Sequence, residues 1–260
     1  MPWSSVRRVH EACEMNAVHR SAMEDEHRVV DSFLPTDSRS GFFAVYDGHG
    51  GRGVVDYLKT GLERNIRTEL EYERDVRGVE ECLTSAFLIS DIETSRENLL
   101  LSGSTAATCV VLTENNDRML YSANVGDTRA ILSRDGTAIR ITFDHKANEQ
   151  AEIKRIEAAG GFVRGKRVLG VLTVTRSFGD HTMKNLVLAR PFTSAYRLTP
   201  EDDILLIACD GVWDVFSDQE AIDFVRTALA QGMENVANAL VKQCLERGTT
   251  DNVTVLVIEL

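Results

Sequence analysis

Short apolar runs deliver acidic residues at four places in this chain, and that recurrence is the first sign of chemistry. Phe42-Phe43-Ala44-Val45-Tyr46 leads into Asp47-Gly48-His49-Gly50-Gly51, and Ile204-Leu205-Leu206-Ile207-Ala208-Cys209 leads into Asp210-Gly211. Asp251-Asn252 stands immediately before Val253-Thr254-Val255-Leu256-Val257-Ile258, and Met23-Glu24-Asp25 opens the segment Glu26–Val30. Read as strands, these runs carry their acids to strand tips. The end of one antiparallel strand lies beside the start of its neighbour, so Asp47, Asp210 and Asp251 are expected to converge on one sheet edge. Clustered carboxylates repel one another, and burial raises their pKa values unless a cation neutralises them. All-oxygen ligation selects a hard cation, Mg²⁺ or Mn²⁺, over zinc. One Asp-Gly after a strand is usually only a turn, as expected at Asp135-Gly136; the recurrence is what argues for a metal cluster.

Two further residues give such a cluster a reaction. Arg20, shortly before Glu24, offers a planar fork that matches phosphoryl oxygens. His49, inside the Gly-rich turn after Asp47, is a residue type that can protonate a departing alkoxide. Other phosphoryl chemistries lack their residues. No cysteine is followed at the sixth position by arginine, no Asp-x-Asp occurs, and neither a Gly-x-x-x-x-Gly-Lys-Ser/Thr loop nor a His-Glu-x-x-His pair is present. Hydrolysis by a metal-activated water is what remains.

The elements that must position these residues follow from periodicity. Beta-branched apolar runs predict strands over Phe42–Tyr46, Ala107–Leu112, Met119–Val125, Ala130–Leu132, Ile204–Ala208 and Val253–Ile258. Helical spacing predicts helices over Gly53–Leu70, Val79–Leu99 and Glu149–Ala159. Ser217-Asp218-Gln219-Glu220 is a capping box opening a helix that Gly232 closes, and Asn235–Leu245 forms another with Gly248 just past its end. Strands cluster without alternating helices, so the expected class is α+β with mostly antiparallel sheets flanked by helices.

At 260 residues, 43% of them hydrophobic, the chain is expected to form a single domain with a sizeable core. The longest strongly apolar run, Ile204 to Cys209, is far below the roughly 20 residues of a membrane span. The opening Met1-Pro2-Trp3-Ser4 has neither the grammar of a leader peptide nor a myristoylation glycine. Forty acidic residues against 29 basic ones, with no basic stripe, speak against a nucleic-acid partner. Five scattered cysteines without a Cys-x-x-Cys pair argue for reduced thiols in the cytoplasm or nucleus, and against a disulfide frame or zinc site.

The motifs resemble, in order, those of the metal-dependent protein phosphatases of type 2C, the PPM family, from Arg20 to the C-terminus. Arg20-Ser21-Ala22-Met23-Glu24-Asp25 is followed by Asp47-Gly48-His49-Gly50-Gly51, Gly103-Ser104-Thr105-Ala106, Asn124-Val125-Gly126-Asp127-Thr128-Arg129 and Asp144-His145-Lys146. Leu172–Asp180, Ala208–Val215 and Thr250–Val255 complete the series. The resemblance implies a four-layer α/β/β/α fold, a central β-sandwich of two antiparallel sheets with helices outside, as one catalytic domain over 1–260. It implies hydrolysis of phosphoserine and phosphothreonine proteins by a water activated between two Mg²⁺ or Mn²⁺ ions; the chain is expected to be a monomer. By that resemblance Asp47 bridges the two ions, Asp210 and Asp251 complete the coordination of the first ion, and the Gly48 carbonyl with Glu24 serves the second ion. Asp127 joins Asp210 at a weaker third site, Asp25 orients water, Arg20 holds phosphoryl oxygens and His49 is the general acid.

Departures from the family pattern are also readable. Ala147 replaces the usual proline after Asp144-His145-Lys146, the flap region Gly161–Leu172 is short, and residues 1–19 match the opening strand poorly. Trp213 reads as a packing residue, Asp180 and Asp214 as hydrogen-bonding neighbours of the site, and Asn252-Val253-Thr254 as a chance glycosylation sequon. A catalytically inactive scaffold of the same shape and a hydrolase of small phosphate esters are the competing readings.

Overall fold

Within the predicted strand at Phe42–Tyr46 the side chains alternate between two cores, and this explains why the molecule is layered. Phe42, Ala44 and Tyr46 pack among helical residues such as Leu58, Leu62, Ile66 and Phe87, whereas Phe43 and Val45 meet Leu205, Ile207, Leu256 and Ile258 from a second sheet. Both faces of the strand are buried, so it reads as a continuous apolar run and not as an alternating one. The structure, a computed structural model, describes residues 3–97 and 99–260. Met1-Pro2 and Asn98, within the predicted helix Val79–Leu99, lie outside the described residues.

The chain opens with β1 (Arg8–Glu14), β2 (Glu26–Asp31) and β3 (Gly41–His49), then α1 (Gly53–Tyr72), the single turn α2 (Arg74–Arg77) and α3 (Val79–Arg96). Two hairpins follow, one in each sheet: β4 (Gly103–Glu114) with β5 (Asp117–Val125), then β6 (Arg129–Arg134) with β7 (Thr137–Arg140). After α4 (Gln150–Ala158) come the two-residue strands β8 (Val163–Arg164), β9 (Arg167–Val168) and β10 (Phe178–Gly179). The last part holds β11 (Phe192–Arg197), β12 (Asp202–Ala208), the short α5 (Asp210–Trp213), α6 (Asp218–Ala230), α7 (Val236–Glu246) and β13 (Val253–Glu259).

One sheet has the order β1-β13-β12-β6-β7 and the other β11-β5-β4-β3-β2, with β10 added beside β4. Every pairing within them is antiparallel. Helices α1 and α3 cover the outer face of the second sheet, while α6 and α7 cover the outer face of the first. The expected four-layer α/β/β/α sandwich is therefore present. Asp135-Gly136 is the expected two-residue hairpin turn, since Arg134 pairs with Thr137. The Ser217 capping box is formed from both sides, and Asn235 caps α7.

Besides the two-residue strands β8, β9 and β10, three longer strands have no counterpart among the predicted elements: β1, β7 and β11. The poorly matching opening segment contains a regular edge strand, with Arg8 to Glu14 registered against Glu259 to Val253. Trp213 is a packing residue: its Nε1 donates to the Ala208 carbonyl at 2.7 Å, and the Arg129 guanidinium sits 4.9 Å over its ring. The Asn252 sequon is sealed by burial, with Nδ2 donating to the Met15 and Ala22 carbonyls at 2.7 and 3.1 Å.

Ala147 has a consequence beyond loop stiffness. Its N–H donates to the Thr173 carbonyl at 2.8 Å, tying the Lys146 loop to the end of the flap. Glu152 secures the next residues, accepting from Arg176 Nη2 at 2.7 Å and Thr175 Oγ1 at 2.9 Å. Burial works to raise the Glu152 carboxyl, but Arg176 and Arg155 outweigh it and hold it near 2. Ala147→Pro deletes the N–H and is expected to lower stability by about 1 kcal/mol. A urea unfolding midpoint unchanged from the parent protein would refute this.

Candidate metal centre

The strand tips deliver their acids, but from two sheets and not one. Asp47 lies inside β3, two residues before its end, and Asp127 lies in the link from β5 to β6, where the chain crosses between sheets. Asp210 follows β12 and Asp251 precedes β13, and these antiparallel neighbours belong to the opposite sheet. The expected convergence on one sheet edge thus becomes a meeting across the rim of the sandwich. Strand period fixes which face a residue takes, but not which sheet its strand joins.

One carboxylate oxygen from each of Asp47, Asp127 and Asp210 lies within 4.8 Å of the others. No other trio of acidic, His or Cys side chains does so among the described residues. Burial, then the neighbouring Asp210, pushes the Asp47 carboxyl well above its ordinary range. Burial, then Asp127 and Asp251, does the same to Asp210. Burial also raises Asp25 to about 6, although the neighbouring Thr254 and Cys209 side chains pull the other way. Asp210 Oδ1 and Asp25 Oδ2 are buried with no hydrogen-bond partner among the described residues. Burying mutually repelling carboxylates this way is costly without positive charge. Among the described residues, the cation paired with Asp127 is Lys146, with Nζ 3.2 Å from Oδ2. An all-oxygen set with orphaned lone pairs fits a hard divalent cation.

The remaining residues fall around this cluster. Asp251 stands just outside the trio: its carboxylate takes the Arg20 guanidinium on one oxygen and its own neighbour's Asn252 N–H, at 2.7 Å, on the other. The strongest partner available, a guanidinium, has drawn it aside. Arg20 Nε also donates to the Thr250 carbonyl at 3.2 Å. Gly48 packs against the backbone carbonyl of Glu24, and the Glu24 carboxylate accepts the Gly51 N–H at 2.6 Å. His49 Nε2 lies 2.8 Å from Asp180 Oδ2. A cavity of about 340 Å³ opens beside the cluster, lined by Asp127, Asp210 and Asp214 and by Lys146, Lys166 and Thr173.

Sequence reasoning missed the asparagines that hold this rim together. Asn252 Oδ1 accepts the Glu24 N–H at 2.8 Å while its Nδ2 clamps the preceding loop. Asn16, with a positive φ of 57°, donates to the Thr249 and Asp251 carbonyls at 2.9 and 3.1 Å. Asn252 was visible as a neighbour of Asp251; nothing local marks Asn16. Lys146 was visible only as part of a motif.

Fold and site together define a four-layer sandwich with an acidic rim, and the comparisons place it more narrowly. The family model for protein phosphatase 2C matches residues 9–253. The chain belongs to that family and is accordingly a protein phosphatase, a hydrolase. It is 41% identical to "Protein phosphatase 2C homolog 1" of Saccharomyces cerevisiae over 99% of this chain and 95% of that protein. With the Schizosaccharomyces pombe protein of the same description it shares 40% identity over 95% of this chain and 71% of the relative. Among solved structures, a Caenorhabditis elegans sex-determining protein matches with TM-score 0.86 at 24% identity, over 99% of this chain and 65% of the other. A Toxoplasma gondii serine-threonine phosphatase 2C matches with TM-score 0.83 at 21% identity, over 100% and 97%. At these identities the structural likeness is one of fold.

Proposed function

We propose that this chain is an active Mg²⁺- or Mn²⁺-dependent phosphatase of phosphoserine and phosphothreonine proteins, working as one catalytic domain and as a monomer in the cytoplasm and nucleus. The observation that carries the reading is the Asp47–Asp127–Asp210 trio with a buried, unpartnered oxygen on Asp210. Asp47, Asp210 and Asp251, with the Gly48 carbonyl and Glu24, would hold two ions. Asp127 and Asp210 would hold a weaker third. When bound, such ions offset charge on the phosphoryl oxygens and acidify the attacking water.

The protein's own groups then divide the remaining work. Asp25, buried beside Asp251, orients the attacking water through its free oxygen. Arg20 keeps Nη1 without a partner among the described residues, leaving it for the phosphoryl oxygens. His49, at the end of β3, gives a proton to the departing serine or threonine oxygen, a strongly basic leaving group. No covalent phosphoenzyme is needed.

The test is turnover of a phosphothreonyl peptide after EDTA treatment, with Mn²⁺ or Mg²⁺ returned. Activity is expected only with metal. Metal binding by calorimetry without any turnover would instead favour the inactive scaffold, and turnover confined to small phosphate esters would favour the small-molecule hydrolase.

A further inference from the structure

We propose that Asp180 is a positioning residue that fixes His49 so that Nδ1, and not Nε2, hands the proton to the leaving oxygen. This rests on the reading of His49 as the general acid. The Nε2 to Asp180 Oδ2 distance is 2.8 Å, and the Asp180 side chain is only 5% exposed. An ionised carboxylate only accepts, so the hydrogen between them belongs to Nε2. Burial works to raise the Asp180 carboxyl, but the bonds from His49 and Ser177 and the charge of Lys184 keep it below its usual range. His49 makes no other side-chain hydrogen bond among the described residues, which leaves Nδ1 as the nitrogen free to meet a substrate.

The seat of Asp180 is built before any substrate arrives. Its backbone is left-handed at φ 48°, and its N–H donates to the Ser102 carbonyl at 3.0 Å. Holding an aspartate in that conformation needs surrounding contacts. Those contacts come from α3: Asp91 Oδ1 accepts the Gly179 N–H and Lys184 Nζ, each at 2.9 Å, and Lys184 also reaches the Ser177 carbonyl at 3.0 Å. Strand β4 lies between the two partners, with Gly103 registered against both His49 and Gly179. A Cβ on Gly103 would stand 2.3 Å from His49 Nε2 and 2.3 Å from Asp180 Oδ2. Glycine is therefore required for the pair to close.

The step balances as follows. The P–Oγ bond breaks with its electron pair on Oγ, which takes the proton from Nδ1. The water oxygen forms the new P–O bond and its proton passes to solvent. His49 is left neutral, with Nε2–H still donated to Asp180, and solvent returns a proton to Nδ1. The products are the alcohol and phosphate.

Asp180→Asn replaces an obligate acceptor with an amide that can present N–H to Nε2, which disfavours the required proton arrangement. With Mn²⁺ present, kcat on a phosphoseryl peptide is expected to fall roughly 10²-fold or more. Turnover of p-nitrophenyl phosphate, whose leaving group needs no proton, should hold within a few-fold, with KM for both unchanged. Gly103→Ala, which parts the pair, should show the same split. The direct readout is the ¹⁵N spectrum of histidine-labelled, Mg²⁺-loaded parent protein, in which neutral His49 should carry its hydrogen on Nε2. A hydrogen on Nδ1, or equal losses on both substrates, would overturn the assignment. A parent protein that hydrolyses neither substrate would instead refute the phosphatase reading, while the spectrum still reports the tautomer.

Discussion

Asp210→Asn is expected to lower phosphopeptide turnover by roughly 10²–10³-fold while raising the melting temperature of the EDTA-treated protein. The two signs have one origin. After burial, Asp210 is the largest single influence driving the Asp47 carboxyl upward, and Asp210 is itself driven upward by Asp127 and Asp251. Asparagine keeps the shape and removes one charge from that cluster, so the metal-free fold gains. The same change removes a cation ligand, so Mn²⁺ should no longer raise the melting temperature as it does for the parent by mass action.

The pH dependence follows with a definite sign. The Asp25 carboxyl has a folded-state value of about 6 against 3.8 unfolded, and Asp47 and Asp210 are raised as well. Groups raised in the fold contribute stability that is present below about pH 4 and is lost as pH rises through their folded values. Metal-free parent protein should therefore become more stable between pH 7 and 5, and Mn²⁺ should flatten or reverse that slope. Thermal melts of parent and Asp210→Asn, each with EDTA and with Mn²⁺, check both halves. A variant that melts lower than the parent in EDTA would show that the carboxylate stabilises the empty cluster.

Gly211→Ala is expected to be the most damaging single methyl near the site. A Cβ there would stand 2.0 Å from the Asn252 carbonyl oxygen and 3.1 Å from its carbon, and backbone cannot swing aside as a side-chain end can. Overpacking costs about 1–3 kcal/mol or more. The displaced segment carries Asp251 and Asn252, so Glu24 and Arg20 shift with it. Misplacement of that kind reduces turnover by roughly 10²-fold. Denaturant unfolding and kcat on the same preparation measure both. Parent-like values would mean that the two loops can part without cost.

Buried strands and capped helices were legible in the sequence because each carries its own local signal. The doubly buried runs at Phe42–Tyr46 and Ile204–Ala208 fall inside β3 and β12, and Ser217 with Glu220 announced α6 through four residues. The three longer strands missed are edge or near-edge ribbons whose polar residues face water. Arg8–Glu14 has only His10 and Ala12 buried, and Phe192–Arg197 has no residue fully buried. Such strands show little apolar excess, and their assignment depends on a partner distant in sequence. The acids were legible for the opposite reason, since each rides on a strongly apolar run. Their division between sheets was not, and neither was Asn16, which acts on residues at the other end of the chain.

The split origin of the acids gives any bound cation a mechanical role. Asp47 is anchored in one half of the sandwich and Asp210 in the other, so ions shared between them would act as rivets along that border. Relative sliding of the halves and loss of the ions would then be a single event, linking the molecule's resistance to shear to its metal supply.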